Sequence, residues 1–215
     1  MTASPTFDLV LVDADVISKL AHWELLELLP RAFCLPWQSF STTPSVVYRA
    51  RKANKKPDRL FRSQTAVDSA LHALSQMGSI PATLDREFIL AAQRVPALDP
   101  GEAVLLATAV VHPKACILTG DKRALAAVAG AAAPLGADRL SGRIICLEQF
   151  ILHALERIGL EALRSHLCRE PVVDRVILAV MGSDCAASEA NVRDGLESYI
   201  RNATSNSGGL LGVWP

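Results

Sequence analysis

Three acidic residues lie where predicted strands give way to helices, in widely separated parts of the chain. Asp13 ends the apolar run FDLVLV at 7–12, and Asp121 follows the run ACILTG at 115–120. Glu102 lies in the first turn of the predicted helix that precedes the second run. Clustered carboxylates repel one another, and a divalent cation between them removes that repulsion. Oxygen ligands suit Mg²⁺ or Mn²⁺, which can activate a water and stabilise charge on a phosphodiester.

Each of these acids also has a purely structural explanation as a helix cap. The stretch DPGE at 99–102 has the capping-box pattern, with Asp at the cap and Glu102 at the third helical position. Asp13 or Asp15 could cap the helix after the first strand, and Asp121 could cap the helix after the second. The convergence of three acids on one edge favours the functional interpretation over capping alone.

Strands and helices alternate along the chain, which is the pattern of an α/β protein. Beyond the two runs already named, RIICL at 143–147 is predicted to be a strand, and the aromatic segment 33–41 could carry another. The clearest helices are predicted at 14–30, 99–113 and 121–130. Such alternation predicts a parallel β-sheet flanked by helices. In a sheet of this kind, ligands bind along the edge where the strands end.

The chain is expected to form one domain with a helical elaboration. Residues 1–150 contain the predicted sheet, and residues 151–201 are predicted to be a helical extension of the same domain. Residues 202–215 begin with NATSNSGG, which has the composition of a flexible linker. They end in an apolar tail that Trp214 would anchor, either on the protein's own body or on a neighbouring subunit.

Composition argues against several classes of protein. Half of the 215 residues are apolar, and 22 Lys and Arg balance 22 Asp and Glu, so any nucleic-acid surface must be local. The first residues lack a signal-peptide pattern, and no apolar run reaches the ~20 residues that a bilayer requires, so no membrane association is expected. Five scattered cysteines without a CxxC motif favour reduced thiols in a cytoplasmic protein over disulfides or a zinc site.

At these residues the chain resembles the PIN domain, a family of metal-dependent nucleases that includes the ribonuclease toxins of bacterial toxin–antitoxin pairs. The opening VDADVISKL resembles the first strand and helix of the family. LDPGEAVLLATA resembles its L-D-x-G-E segment, and ILTGDKRAL resembles its strand ending in T-x-D. The order and spacing of these motifs agree over roughly residues 8–147.

The resemblance implies a role for each matching residue. It makes Asp13, Glu102 and Asp121 the catalytic residues and the ligands of Mg²⁺ or Mn²⁺, with Asp15 and Thr119 in supporting positions. It further implies a three-layer α/β fold, cleavage of single-stranded RNA, an antitoxin protein as a partner and a homodimer.

Two places depart from the family pattern. PIN domains usually carry a Glu on the helix after the second strand, and in STTPSVVYRARK that position holds Arg49. The acid often found just beyond T-x-D is replaced by Lys122 and Arg123. A guanidinium beside the carboxylates would neutralise them and compete with a metal ion. The alternative is therefore a catalytically degenerate PIN domain that acts as an RNA- or protein-binding module.

A basic segment begins at the same departure. Residues 49–62 contain seven basic residues and one acid. They could form an ordinary solvated helix face, or a strip that binds an RNA backbone. In the second interpretation the binding residues are Arg51, Lys52, Lys55, Lys56 and Arg59. Phe61, the aromatic residue of the segment, could stack on a base but is a better candidate for the core.

A haloacid-dehalogenase-like phosphatase is a third interpretation of the same acids. VDADV resembles the D-x-D opening of that family, in which Asp13 would be the nucleophile and Asp15 the acid/base. Against it, Ile17 stands where that family has Thr or Val, and the LDPGEA segment is left unexplained.

Overall fold

A parallel β-sheet organises the protein. The computed structural model describes residues 7–56, 58–182 and 184–214. The strands of its sheet are β1 (Leu9–Val12), β2 (Phe40–Ser41), β3 (Ala115–Thr119) and β4 (Ile144–Cys146). They lie in the order β2-β1-β3-β4, and every neighbouring pair is parallel. The predicted α/β fold with a parallel sheet flanked by helices is therefore confirmed.

The strand order reverses at β1. From β1 the chain crosses to β2 on one side, and it then returns to place β3 on the other side of β1. Val10 accordingly pairs with Phe40 in β2 and with Cys116 in β3. In open parallel sheets, the crevice at such a reversal lies outside the carboxyl ends of the strands and is the usual place for a ligand.

Helices cover both faces of the sheet. In chain order they are α1 (Ala14–His22), α2 (Leu29–Phe33), α3 (Pro44–Ala53), α4 (Gln64–Gln76), α5 (Arg86–Ala92), α6 (Pro100–Val111), α7 (Lys122–Gly130), α8 (Ala132–Leu135), α9 (Leu147–Leu167), α10 (Arg175–Met181) and α11 (Glu189–Asn206). α9 is broken at Gly159, whose φ of 76° lies in the region that favours glycine. Among the described residues, none of the helices is long and apolar enough to cross a bilayer.

Alternate residues of the strands face opposite layers, as a pleated backbone requires. Val10 and Val12 belong to one apolar cluster, whereas Leu11 between them belongs to another. The first cluster joins the sheet to α1–α4 and α9–α11, and the second joins it mainly to α5–α8. Burial on both faces explains why the strands are apolar throughout rather than alternating. The result is three layers, with helices on each side of the sheet.

The helical extension packs on the core of the sheet. Leu163 and Leu167 of α9, together with Leu196 of α11, belong to the same apolar cluster as Val10. These side chains are almost completely buried. The residues after 150 therefore complete one layer of the same structure.

The prediction of a flexible linker at 202–209 is wrong for its first part. α11 continues through this segment and ends at Asn206. The chain then runs beside β4, where the Ile144 N–H donates to the Leu210 carbonyl at 3.1 Å and the Gly212 N–H donates to the Ile144 carbonyl at 2.7 Å. The polar composition of residues 202–209 predicted flexibility. The segment is instead held by Leu210 and by the buried face of α11, which pack on the core.

The apolar tail rests on the protein's own body. Trp214 stacks on His153 with ring centroids 4.8 Å apart, and it also contacts Phe33 and Phe150. The sequence allowed the tail to rest on a neighbouring subunit or on its own chain. In the structure it rests on its own chain.

The expectation that the thiols are all reduced is wrong for two cysteines. A disulfide links Cys168, just after α9, to Cys185, in the loop before α11. These residues are 17 positions apart and share no short motif, so only the packing of α9 and α10 brings them together. Of the other cysteines, Cys116 and Cys146 are buried and Cys34 is exposed.

The helix predicted over residues 14–30 is shorter than expected. α1 ends at His22, and Glu24 adopts a positive φ of 53°. Pro30, expected to end the helix, lies instead in the first turn of α2. A proline is tolerated there because its missing N–H would have no partner in the helix. Apolar periodicity continued across the break because the turn between the two helices also faces the core.

Candidate functional site

Asp13 lies where β1 meets α1, at the carboxyl edge of the sheet. Its N–H donates to the Leu118 carbonyl of β3 at 3.0 Å, which extends the β1–β3 ladder by one residue. Asp13 occupies the N-cap position of α1, yet its side chain makes no capping hydrogen bond. The residue is only 8% exposed. Helix capping therefore does not explain this carboxylate.

The Thr119 hydroxyl connects two of the acidic segments. It donates to Asp13 Oδ2 at 3.1 Å and accepts from the N–H of Asp121 at 3.1 Å. One hydroxyl can do both because it carries one donor hydrogen and two lone pairs. The ends of β1 and β3 are thereby fixed beside each other.

Asp121 and Glu102 do act as caps, as the structural alternative predicted. Asp121 Oδ1 accepts from the N–H groups of Arg123 and Ala124 at 2.8 and 3.0 Å, at the start of α7. Glu102 Oε2 accepts from the Asp99 N–H at 2.8 Å, which completes a capping box at the start of α6. Each carboxylate uses one oxygen in this way. Its other oxygen makes no hydrogen bond to any residue that the structure describes.

Four of the predicted site residues line one cavity. Asp13, Glu102, Thr119 and Asp121 surround a space of about 30 Å³. A cavity needs only ~10–15 Å³ to hold a water molecule, so this one has room for a small ion or for water. The rest of its wall is apolar and consists of Leu105, Leu106, Ile117, Ala124, Leu125, Val128 and Ile144. The fold thus brings three carboxylates from distant segments to one place.

Two carboxyl groups of this cavity, those of Asp13 and Glu102, have raised pKa values. Burial raises the pKa of Asp13 to about 6, and the charge of Asp15 adds to that rise. Burial likewise raises the pKa of Glu102 to about 7, with further increases from nearby carboxylates that include Asp13 and Asp121. Acids that raise one another's pKa are close enough to interact, and a cation among them would favour their charged forms.

The donor set suits a small divalent cation, although the side chains are not gathered around one. Within residues 7–56, 58–182 and 184–214, no group of three or more His, Cys, Asp or Glu side chains is arranged to hold a metal ion. One oxygen of each acid is instead engaged by Thr119 or by a backbone N–H. Hard oxygen donors beside room for an ion or water are the features of Mg²⁺ and Mn²⁺ sites. The types of donor therefore suit such an ion, and each acid has one oxygen that Thr119 or a backbone N–H does not engage.

Arg49, the main departure from the family pattern, pairs with an acid outside the cavity. Its Nε and Nη2 atoms both lie 3.1 Å from Asp58 Oδ2. Asp58 Oδ1 in turn accepts from the N–H groups of Leu60 and Phe61 at 2.7 and 2.9 Å. In the described part of the chain, Arg49 forms no ion pair with Asp13, Glu102 or Asp121.

Of the two basic residues after Asp121, Lys122 is directed elsewhere and Arg123 lies near Asp121 itself. Lys122 Nζ lies 2.5 Å from Glu148 Oε1, at the start of α9, and 4.7 Å from the centre of the Tyr199 ring in α11. Arg123 is almost fully exposed, and its guanidinium is 3.7 Å from Asp121 Oδ2. An exposed contact of that length contributes little. Glu148 and Tyr199 therefore engage the lysine that directly follows Asp121.

Asp15, predicted to support the first ligand, does not line the cavity. Its Oδ2 atom lies 2.5 Å from Lys19 Nζ, which is also 2.6 Å from Asp174 Oδ2 at the start of α10. A Cβ at Gly120 would lie 2.8 Å from Asp15 Oδ2, so a larger residue there would have to displace the Asp15 carboxylate. Asp15 acts on Asp13 through its charge rather than through a direct contact.

The five residues predicted to bind an RNA backbone are all exposed. They lie at the end of α3 and in the loop that follows, and they are Arg51, Lys52, Lys55, Lys56 and Arg59. Among the residues described, the ion pair found in this segment is that of Arg49 with Asp58. Phe61 is completely buried, in agreement with its assignment to the core. The five side chains form a local strip of positive charge, here called the basic strip.

Two buried polar residues near the strand ends were not predicted. Glu148 directly follows the predicted strand at 143–147, and its Oε2 atom is buried without a hydrogen-bond partner among the described residues. Thr42 directly follows β2, and its hydroxyl is also buried without a hydrogen-bond partner among the described residues. Both residues directly follow a strand, as Asp13 does. That position in the sequence could have identified them.

Comparison with protein-family models, with curated proteins and with solved structures finds no match for this chain. The resemblance to PIN domains therefore rests on the three motifs and their order. Function has to be argued from the cavity and its surroundings.

Proposed function

We propose that this protein is a Mg²⁺- or Mn²⁺-dependent endoribonuclease of the PIN type, which hydrolyses phosphodiesters in single-stranded RNA. The observation that carries the proposal is the cavity at the reversal of strand order, where Asp13, Glu102 and Asp121 meet. Buried carboxyl groups with raised pKa values cluster at functional sites, and this edge is where open parallel sheets bind ligands.

In this proposal the three acids hold the cation, through oxygens that capping leaves free in Glu102 and Asp121. When bound, the cation supplies charge that lowers the pKa of a water and offsets negative charge on the phosphodiester. Thr119 orients the Asp13 carboxylate and fixes the backbone at Asp121. The apolar side chains that line the rest of the cavity lower the local dielectric, which strengthens each charge interaction there.

The basic strip supports RNA as the substrate. The whole chain has no net charge, so attraction to a polyanion must come from a local surface. The five residues of the basic strip supply such a surface, and none of them forms an ion pair among the described residues. Phosphate contacts come chiefly from lysine and arginine and do not depend on sequence.

The proposal includes the setting that the resemblance implies. The protein would act in the cytoplasm as a homodimer, as the toxin of a toxin–antitoxin pair whose antitoxin blocks the site. The bond between Cys168 and Cys185 argues against the cytoplasmic part of this setting, because disulfides are rare in reducing compartments.

The alternatives have less support. A catalytically degenerate PIN domain was suggested by Arg49, whose ion pair is with Asp58 and not with the acids of the cavity. A phosphatase would need Asp13 and Asp15 to face one substrate, whereas Asp15 is paired with Lys19 and lies outside the cavity lining. Both alternatives remain as outcomes of the experiment below.

Cleavage of a short single-stranded RNA carrying a fluorophore and a quencher tests the proposal. We expect cleavage with Mn²⁺ or Mg²⁺ and none in EDTA, and Asp121→Asn should reduce the rate at least ~100-fold because it removes a charged ligand. Asp8→Asn is the matched control, since Asp8 is an exposed carboxylate at the opposite end of β1.

Metal-independent cleavage, or equal rates for Asp121→Asn and the parent protein, would contradict the proposal. RNA binding without cleavage would favour the degenerate alternative. Release of phosphate from small phosphomonoesters, with no RNA cleavage, would favour the phosphatase.

A further inference from the structure

A second cavity, here called the Tyr48 groove, lies on the β2 side of the acidic cavity. Its volume is about 480 Å³, within the ~300–1,000 Å³ that is usual for ligand pockets. The end of β2, one face of α3 and the segment after α4 form its walls. The groups of interest in these walls are Thr42, Tyr48, Arg51, Gly78 and Ser79.

Thr42 brings a buried hydroxyl without a partner to the groove. The residue is 7% exposed, and Thr42 Oγ1 makes no hydrogen bond within the described residues. Buried polar atoms are rarely left in this condition, because each one destabilises the fold unless something satisfies it. A polar ligand atom in the groove would give this hydroxyl its partner.

Tyr48 and Arg51 form the opposite wall of the groove. They are three positions apart in α3, which places them on one face of the helix. Tyr48 is 66% exposed, and Arg51 is exposed and forms no ion pair among the described residues. An exposed aromatic ring can stack on any nucleobase, and a guanidinium binds phosphate or stacks on a base.

The remaining wall is held firmly against β2. The Gly78 N–H donates to the Phe40 carbonyl at 2.9 Å, and the Ser41 hydroxyl lies 3.1 Å from the Gly78 carbonyl oxygen and 3.2 Å from that of Ser79. A Cβ at Gly78 would lie 2.4 Å from the Gln38 carbonyl oxygen, so only glycine permits this approach. A groove with fixed walls loses little entropy when it binds.

The groove is adjacent to the acidic cavity. Leu11 pairs with Ser41 in the last pair of the β1–β2 ladder, so Thr42 and Thr43 follow β2 at the same edge of the sheet where Asp13 follows β1. Neighbouring strands are ~4.8 Å apart, which sets the spacing between the two strand ends. A Cβ at Gly101, next to Glu102, would lie 4.0 Å from the Thr43 side chain. The end of β2, which forms one wall of the groove, therefore lies close to the segment that carries Glu102.

We infer that the Tyr48 groove binds a nucleobase of single-stranded RNA, next to the phosphodiester held at the acidic cavity. The inference rests on the proposed function and adds a base-binding subsite to it. The base would stack on Tyr48 and bond to the Thr42 hydroxyl, and Arg51 would bind the adjoining phosphate and lead the strand onto the basic strip. A nucleotide has a flat base that can stack on Tyr48 and a negative phosphate that Arg51 can bind. A segment of an antitoxin does not combine these two features in the same way.

Fluorescence anisotropy with a labelled single-stranded RNA of mixed sequence tests the inference. The full chain would carry Asp13→Asn, and the buffer EDTA, so that the probe stays intact. Tyr48→Ala should weaken binding by about 10-fold or more, whereas Tyr48→Phe keeps the ring and should stay within about 2-fold of its parent. Arg94→Ala, an exposed arginine at the end of α5, is the control and should bind as its parent does.

Thr42→Val separates a binding role from a structural one. Removal of a hydroxyl that has no partner should leave the unfolding midpoint unchanged or raise it. The same substitution should weaken RNA binding several-fold if the hydroxyl bonds to the base. A change in stability without a change in RNA affinity would show that Thr42 has no part in binding.

Photo-crosslinking supplies a readout that does not depend on a variant. RNA containing 4-thiouridine should crosslink to a peptide that includes Thr42–Arg51. Unchanged affinity in Tyr48→Ala together with crosslinks elsewhere would overturn the inference, and so would a parent protein that binds no RNA. Metal-dependent cleavage that is lost in Asp121→Asn would then still support the proposed function, so the two failures can be told apart.

Discussion

At the scale of single residues, Asp13 is the group whose cost to the fold is easiest to measure. It is buried, it does not cap α1, and burial raises its pKa to about 6 from an ordinary value of 3.8. Because the folded state holds the proton more tightly than the unfolded state, Asp13 costs almost nothing below about pH 3, where both states are protonated. The cost grows as pH rises from about 3 to 6 and then stays near an upper value of about 3 kcal/mol.

Asp13→Asn should therefore stabilise the metal-free protein at neutral pH. Asparagine carries no charge and keeps an oxygen that can accept the hydrogen bond from Thr119. In EDTA at pH 7.5 we expect a thermal unfolding midpoint several degrees above that of the parent protein, with the difference narrowing toward pH 4. Asp8→Asn should show no such gain. Equal midpoints at pH 7.5, or a gain of the same size at pH 4, would contradict this account of the site.

The sequence predicted those site residues that lie next to a recognisable strand or helix. It did not predict contacts between residues that are distant in the chain. Asp13, Glu102, Thr119 and Asp121 follow or adjoin apolar runs, and they do line one cavity. The partner of Arg49 was not predictable, because Asp58 reaches it only through the turn that Leu60 and Phe61 stabilise. The unpartnered hydroxyl of Thr42 is a property of packing, and no pattern in the sequence encodes it.

At the scale of elements, the disulfide between α9 and the loop before α11 has the clearest measurable consequence. Closing a loop between cysteines 17 positions apart restricts the unfolded chain and should stabilise the oxidised protein by about 3 kcal/mol. Reduction with a phosphine, or Cys185→Ser, should lower the unfolding midpoint by about 6–12 °C.

Cys34→Ser is the matched control for that experiment, since Cys34 is an exposed free thiol. Its midpoint should equal that of the parent protein. A midpoint that does not change on reduction would show that the bond adds nothing to stability. A mass spectrum that shows five free thiols in the untreated protein would show that the bond is not formed.

Elements with two clear boundaries were predicted well, and the others were not. β3 and α6 sit within a residue or two of their predicted positions, because Asp99-Pro100 and the run ACILT mark them. The break between α1 and α2 was missed because both sides of it are apolar and face the same core. The cysteine pair could not be predicted, since its two members meet only after α9 and α10 have packed.

At the scale of the whole molecule, α9 and the start of α10 pair with two lysines that lie close in sequence to the acidic residues. Glu148 of α9 engages Lys122, and Asp174 at the start of α10 engages Lys19. The extension also shares the core of the sheet, so these pairs are fixed by packing. The sequence predicted its helices but not this role, because each pair joins segments that are distant in the chain.

The central claim is that Asp13, Glu102 and Asp121 together hold one divalent cation. Calorimetric titration of the full chain with Mn²⁺ at pH 7.5 tests it most directly, with Asp13→Asn as the test variant and Asp8→Asn as its match at the other end of β1. The account predicts one binding event in the parent protein and in Asp8→Asn, and no binding heat in Asp13→Asn. Undiminished binding in Asp13→Asn, or no binding in the parent protein, would contradict it.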